Sequence, residues 1–162
     1  MTAVLVTGMS ATGKSTVLAE LARAGHAVVD TDEGGWIVDV PRDDGSTEPM
    51  WDESRVSALL EEHEHETLFV AGCVANQGRF YSRFHAVVLL SAPEQTMVER
   101  LATRTTNDFG KRAAEREAIL ADLRVVEPLL RARATAEIDT RAPVAEVAAR
   151  LVEIARGPAG PR

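Results

Sequence analysis

The stretch LVTGMSATGKSTV, residues 5–17, places Gly8, Gly13, Lys14 and Ser15 at the spacing G-x-x-x-x-G-K-[ST] without a mismatch. Its flanks decide its meaning. Ala3–Thr7 is a short β-branched run that reads as a buried strand. From Lys14 to Ala24, Val17, Leu18 and Leu21 recur at helical spacing, and Gly25 is placed to end the helix. Strand, glycine loop and helix in that order are the context of a phosphate-binding loop, whereas an ordinary glycine turn capped by a hydroxyl needs neither the lysine nor the second glycine. The glycines let the backbone fold around phosphate oxygens. The N–H groups of Ser10, Ala11, Thr12, Gly13, Lys14, Ser15 and Thr16, together with the helix N-terminus, supply partial positive charge. Lys14 is spaced to reach the outer phosphates of a nucleoside triphosphate, and Ser15 to ligate its magnesium.

Outward from this loop, His26–Asp30, Thr67–Ala71 and His85–Leu90 are unalternating apolar runs, as expected for strands of a parallel sheet covered on both faces. Ala136–Thr140 is a weaker fifth strand. Helices are expected at Pro93–Thr103, Ala113–Ala134 and Val144–Ala155, with a shorter one at Asp52–Glu64. Gly34–Pro49 is rich in Gly, Pro, Asp and Ser and reads as a long loop, a type of segment that is often functional in a compact domain. Strands alternating with helices make this an α/β domain with right-handed crossovers, spanning residues 1–156. Residues 157–162 are expected to fray as a tail.

Composition narrows the function classes. The 162 residues, 45% of them hydrophobic, suit one domain with one sizeable core. A net charge of −7 argues against a phosphate-backbone footprint, so no nucleic-acid partner is expected. No apolar run approaches the roughly 18 residues of a membrane span, and Met1-Thr2-Ala3 lacks the features of a signal peptide. The expectation is a cytoplasmic protein with a small-molecule partner and no membrane partner, either monomer or dimer. Cys73, the only cysteine, can form no internal disulfide and reads as a small core residue. Two lysines, Lys14 and Lys111, stand beside sixteen arginines. Where lysine persists against that bias, its compact ammonium is the property to explain.

The next signal is Val28-Val-Asp30-Thr31-Asp32. Ligands of open α/β sheets bind beyond the carboxyl ends of the strands, and alternation sends Asp30 and Asp32 to the same side. One carboxylate can hold magnesium through water while the other orients an acceptor hydroxyl or takes its proton. Asp32 as a simple turn cap is the plainer alternative.

Together these residues resemble the P-loop small-molecule and nucleoside monophosphate kinases, and within them the shikimate kinase and gluconate kinase type. The resemblance covers nearly the whole chain: the phosphate loop, Asp30-Thr-Asp32, the glycine-bearing strand end Val70-Ala-Gly72, the strand AVVLLSAP at 86–93, and a helix running into an arginine-containing lid. It implies a three-layer P-loop kinase fold with a five-stranded parallel sheet in the order 2-3-1-4-5, helices on both faces, and a small lid at about 104–112. It also implies ATP and Mg2+ as cofactors, with Ser15 and Asp30 serving the metal and Asp32 the acceptor hydroxyl. Arg104 is the nearest match to an adenine-stacking arginine, and Asp139–Pro143, with Arg141 and Pro143, resembles the segment that closes over adenine. Lys111 falls in the lid, either as a cation closing over the γ-phosphate or as a solvated surface lysine. The chain departs from shikimate kinases in carrying Gly72-Cys-Val-Ala-Asn-Gln77 where they have a triple-glycine loop, and in its lid, Arg104-Thr-Thr-Asn-Asp-Phe-Gly-Lys111. No Asn-Lys-x-Asp-like guanine reader is evident, so ATP is expected rather than GTP.

The acceptor-binding segment is expected at about 32–66, where twelve acidic residues accompany only two arginines, Arg42 and Arg55. A nucleoside monophosphate or sugar phosphate would need several cations there. A neutral or cationic acceptor follows: a nucleoside, sugar, polyol or amino-containing natural product. Glu61, Glu62, Glu64 and Glu66 read as a solvated helix face, and Asp43-Asp44-Gly45 as a turn. Candidate acceptor contacts are Asp32, Trp36, Arg55, Gly72, Asn76, Gln77 and Arg79, with Trp36, Trp51, Phe80 and Tyr81 as aromatic walls near the pocket. For each of these a packing or loop role stays open. His63 and His65, two apart on a helix, do not converge on a metal. The reading is an ATP-dependent kinase with Lys14, Asp32, Arg104 and Lys111 in catalytic roles. A nucleoside monophosphate kinase and a non-catalytic ATP-binding resistance or regulatory protein are the alternatives.

Overall fold

Alternation along a single strand builds two cores at once. In the computed structural model, which describes residues 2–103 and 112–159, β1 (Thr2–Thr7) points Val4 and Val6 to one face and Ala3 and Leu5 to the other, all at most 1% exposed. The chain continues through α1 (Lys14–Arg23), β2 (Ala27–Asp30), β3 (Ile37–Pro41), β4 (Thr47–Trp51), α2 (Glu53–Glu62), β5 (Thr67–Ala71), a 3-10 helix (Gln77–Arg83), β6 (Ala86–Ser91), α3 (Glu94–Thr103), α4 (Ala113–Arg133), β7 (Ala136–Asp139) and α5 (Val144–Arg156).

Five strands form one parallel sheet, β2-β5-β1-β6-β7. Once the two strands β3 and β4 are set aside, this is the expected order 2-3-1-4-5. β1 is central, with Val4 opposite Phe69 on one side and Ala86 on the other. On one face Val17, Leu18 and Leu21 of α1 and Val147 and Leu151 of α5 pack on Val4, Val6 and Val88. On the other face Val56, Leu59 and Leu60 of α2 join Trp51, Phe80 and Leu5. Ala92, Met97, Leu120 and Leu123 form a small third core that joins α3 to α4. Because β1, β5 and β6 are covered on both sides, their unbroken apolar runs are what the fold requires.

Gly34–Pro49, expected as a loop, is mostly an antiparallel hairpin, with Ile37 paired to Trp51 and Pro41 to Thr47. Its turn is built as the sequence suggests. Gly45 adopts φ +84°, its N–H donates to the Arg42 carbonyl at 3.1 Å, and the Asp44 carboxylate accepts the Ser46 amide at 2.9 Å. Pro41 and Pro49 conceal the strands, since proline is a loop signal that a two-stranded ribbon tolerates at its edges. Two of the expected pocket aromatics are core instead. Trp51 is 1% and Phe80 5% exposed, and they meet edge to face at 5.7 Å. Cys73, expected in the core, is only partly buried just beyond β5. Among the described residues no helix is long and apolar enough to cross a membrane.

Candidate phosphate-binding and transfer site

The loop between β1 and α1 curls because three of its residues take left-handed conformations: Gly8 (φ +151°), Ala11 (+66°) and Gly13 (+91°). Gly8 is fixed by close approach, because a Cβ there would lie 2.5 Å from the Leu90 carbonyl oxygen and 2.9 Å from Thr12 Oγ1. Thr12, fully buried, donates its hydroxyl to the Met9 carbonyl at 2.8 Å and braces the turn. A loop of this kind turns successive N–H groups toward one point, which is an anion-binding arrangement at a helix N-terminus.

Lys14 Nζ lies across the loop, donating to the carbonyls of Gly8 at 2.6 Å and Met9 at 3.2 Å. Burial pushes its ammonium below the usual lysine range, while Cys73, Asp32 and Asp30 pull it back up. Ser15 Oγ donates to Asp30 Oδ2 at 2.5 Å, and Asp30 Oδ1 accepts the Asp32 amide at 3.1 Å. Asp32 is open to solvent on the cleft side, yet desolvation raises its carboxyl above the usual range. Lys14 opposes that shift and Asp30 adds to it. The ends of β1 and β2 thus bring Lys14, Ser15, Asp30 and Asp32 together.

Ser10 to Val17 and Asp32 line a cleft of about 600 Å3 whose far wall is Arg100, Thr103, Thr140, Ala142, Val144 and Val147. Arg100 went unnoticed among sixteen arginines. Its guanidinium donates to the Ala11 carbonyl at 3.2 Å, to Thr140 Oγ1 at 2.9 Å and to the Thr140 carbonyl at 2.7 Å, joining α3, the phosphate loop and the segment after β7. That segment lines the cleft through Thr140 and Ala142, and not through Arg141 or Pro143. Arg141 is ion-paired to Asp139 at 2.6 Å, and Pro143 caps α5. Arg104 and Lys111 lie outside the described residues.

Around the segment expected from sequence to receive an acceptor, the polar residues bind the framework. Asn76, 6% exposed, accepts the Trp51 amide at 2.8 Å and donates to the Trp51 carbonyl at 3.0 Å. Gln77, 2% exposed, donates to Thr7 Oγ1 at 3.0 Å and to the Tyr81 hydroxyl at 2.9 Å. Arg79 pairs with Glu53 at 2.6 Å. Arg55 donates to the carbonyls of Gly34 and Gly35, both at 2.7 Å, and its guanidinium lies 4.1 Å from the ring centre of the partly buried Trp36. Gly72 sits against Thr31 and Trp51.

A family model described as an AAA domain matches residues 4–121, most of the chain. No curated protein matches it. Among solved structures, shikimate kinase from Acinetobacter baumannii in complex with shikimate is similar at TM-score 0.62 and 17% identity, over 95% of this chain and 92% of that one. Shikimate kinase from Bacteroides thetaiotaomicron gives TM-score 0.64 at 17% identity, over 96% and 99%. A gluconokinase from Sinorhizobium meliloti 1021 gives 0.53 at 21%, over 96% and 91%. At such identities the likeness is one of fold, while the family match takes in the phosphate loop and both aspartates. The chain belongs to the AAA domain family and is built on the P-loop fold of small-molecule kinases of the shikimate kinase and gluconokinase type.

Proposed function

We propose that the protein is a cytoplasmic ATP-dependent kinase that transfers the γ-phosphate to a hydroxyl of a small neutral or cationic acceptor. The observation that carries this reading is geometric: Asp32 lines the same cleft as Lys14 and Ser15, and burial there raises its carboxyl above the usual range. A base tuned upward and a lysine set at phosphates are the two groups that phosphoryl transfer to a hydroxyl uses. A protein that only bound ATP would need the second but not the first. In this reading residues of about 32–66 receive the acceptor, Arg104 stacks on adenine, and Lys111 closes from a lid at about 104–112.

Ser15 Oγ and Asp30 Oδ2, both hard oxygen donors at the mouth of the loop, fit magnesium. Among the described residues no group of three His, Cys, Asp or Glu could hold a metal, so the ion would be shared with the phosphates. When bound, magnesium neutralises charge on the phosphate oxygens. The chain's own part is to orient and to exclude water: Lys14 fixes the outer phosphates, Arg100 braces the loop, and Asp32 orients the acceptor hydroxyl and takes its proton.

A neutral or cationic acceptor is supported by arginines that are already engaged. Among the described residues, Arg42 pairs with Glu48, Arg55 with two carbonyls, Arg79 with Glu53, and Arg83 with Ser57 Oγ at 3.0 Å. Freeing one for a carboxylate or phosphate would break bonds it already makes. Acceptor-dependent ADP release with magnesium ATP tests this, using matched acid, alcohol and amine forms of one polyol (gluconate, sorbitol and glucamine), nucleosides and nucleoside monophosphates. The alcohol or amine form is expected to exceed the acid. Preference for a monophosphate would make the protein a nucleotide kinase, and no stimulation across the panel would leave an ATP-binding protein.

Arg100→Ala should weaken ATP binding about tenfold, since the Ala11 carbonyl and the Thr140 segment lose their common brace, with a smaller change in turnover. Calorimetric ATP affinity within twofold of the parent would remove Arg100 from the site.

A further inference from the structure

We infer that Thr31 and Trp51 are positioning residues: they hold the turn Asp30-Thr31-Asp32 in place beside Lys14 and so tie the β3–β4 hairpin to the transfer site. Thr31 lies between the two aspartates, and alternation turns its side chain away from theirs, into the body of the protein, where it is 1% exposed. Its hydroxyl donates to the Ala71 carbonyl at 2.7 Å and accepts the indole N–H of Trp51 at 2.9 Å. Its amide donates to the same Ala71 carbonyl at 3.0 Å. With one bond given and one received, the hydroxyl is held in a single orientation.

The other side of the knot is equally fixed. Trp51 is the last residue of the hairpin, and Asn76 holds both its amide and its carbonyl. Gly72 closes the third side, because a Cβ there would come within 2.5 Å of Thr31 Oγ1 and 2.9 Å of Trp51 Cζ2. A buried indole N–H needs a partner, but packing alone does not require that partner to be the one hydroxyl between Asp30 and Asp32. In-line transfer is sensitive to small displacements, with misplacement of about 1 Å costing on the order of 100-fold. The knot therefore controls rate through Asp32 while leaving the phosphate loop untouched.

Three single variants and one double variant test this. Trp51→Phe keeps a ring against Phe80 but removes the N–H, Thr31→Val keeps the shape but removes both bonds, and Thr31→Ser keeps both. With an acceptor identified by the panel, the first two should lower kcat about tenfold or more while KM for ATP stays within about twofold. Thr31→Ser should stay near the parent, and Trp51→Phe/Thr31→Val should be no worse than Thr31→Val alone. This arm rests on the kinase reading.

Amide hydrogen exchange needs no acceptor and separates the two ideas. Thr31, Asp32 and Glu33 should exchange about tenfold faster in Trp51→Phe and Thr31→Val, with Val17, bonded to Gly13, unchanged. Faster exchange throughout the sheet, unchanged exchange at 31–33, or additive kcat losses would each overturn the inference. Faster exchange confined to 31–33 in a protein that phosphorylates nothing would uphold the knot and remove the kinase reading.

Discussion

Lys14→Ala is expected to lower phosphoryl transfer about 1,000-fold or more, roughly 4 kcal/mol of barrier, without unfolding the protein. The two halves of this expectation have separate causes. Lys14 Nζ is held by the Gly8 and Met9 carbonyls over the loop, where in the proposed reaction charge would develop on the transferring group. The fold does not depend on that ammonium, since burial disfavours its charged form and the loop has its own brace in Thr12. Lys14→Arg should fail nearly as badly. A broad planar fork cannot take the place of a compact ammonium held at 2.6 and 3.2 Å from adjacent carbonyls, although the chain uses arginine almost everywhere else. Turnover with magnesium ATP, read beside circular dichroism, checks both halves. Activity within tenfold of the parent would remove the phosphate-loop assignment.

Asp32→Asn is expected to reduce transfer by about 100-fold or more, with ATP affinity by calorimetry little changed. Asparagine keeps the size and hydrogen-bonding reach but cannot take a proton. Stability should move the other way. Because the folded state holds the Asp32 carboxyl above its usual range, it favours the protonated form. That contribution is fully present below the unfolded carboxylate pKa and lost as pH rises through the folded value, so at pH 7 the ionised group is a net cost. Asp32→Asn should therefore match or exceed the parent's melting temperature at pH 7, and that advantage should vanish in acid. A lower melting temperature at pH 7 would mean that Asp32 serves the fold rather than the chemistry. Asp30→Asn should differ by weakening the magnesium dependence, because its carboxylate accepts from Ser15 Oγ at the mouth of the loop. Full transfer by Asp32→Asn would mean that positioning alone suffices, as loose phosphoryl transition states allow.

The hairpin shows why part of the 32–66 segment was hidden. Residues 37–51 have one wet face, two prolines and no long apolar run, so their local signal is that of a loop. What makes them strands is distant: Asn76, 25 residues away, holds both backbone groups of Trp51, and Trp51 drops into a core shared with Phe80 and Val56. The same distance hid Arg100, which is 89 residues from the carbonyl it braces at Ala11 and 40 from Thr140. Asn76 and Gln77, by contrast, were visible as polar residues after a strand. Their partners were not, and the partners are what make them framework.

The phosphate loop, the aspartates at and just beyond the end of β2 and the parallel sheet are legible in the sequence alone. In each the physical cause lies within a few residues: glycines where the backbone turns left-handed, a lysine one residue beyond, and unbroken apolar runs where a strand is buried on both faces. It took the three-dimensional contacts to show that Thr31 is held by Trp51, that Arg100 joins the loop to the segment after β7, and that Arg42, Arg55 and Arg79 already have partners. Those are hydrogen bonds and ion pairs between groups far apart in the chain, and their energy depends on angstrom distances that no local pattern encodes.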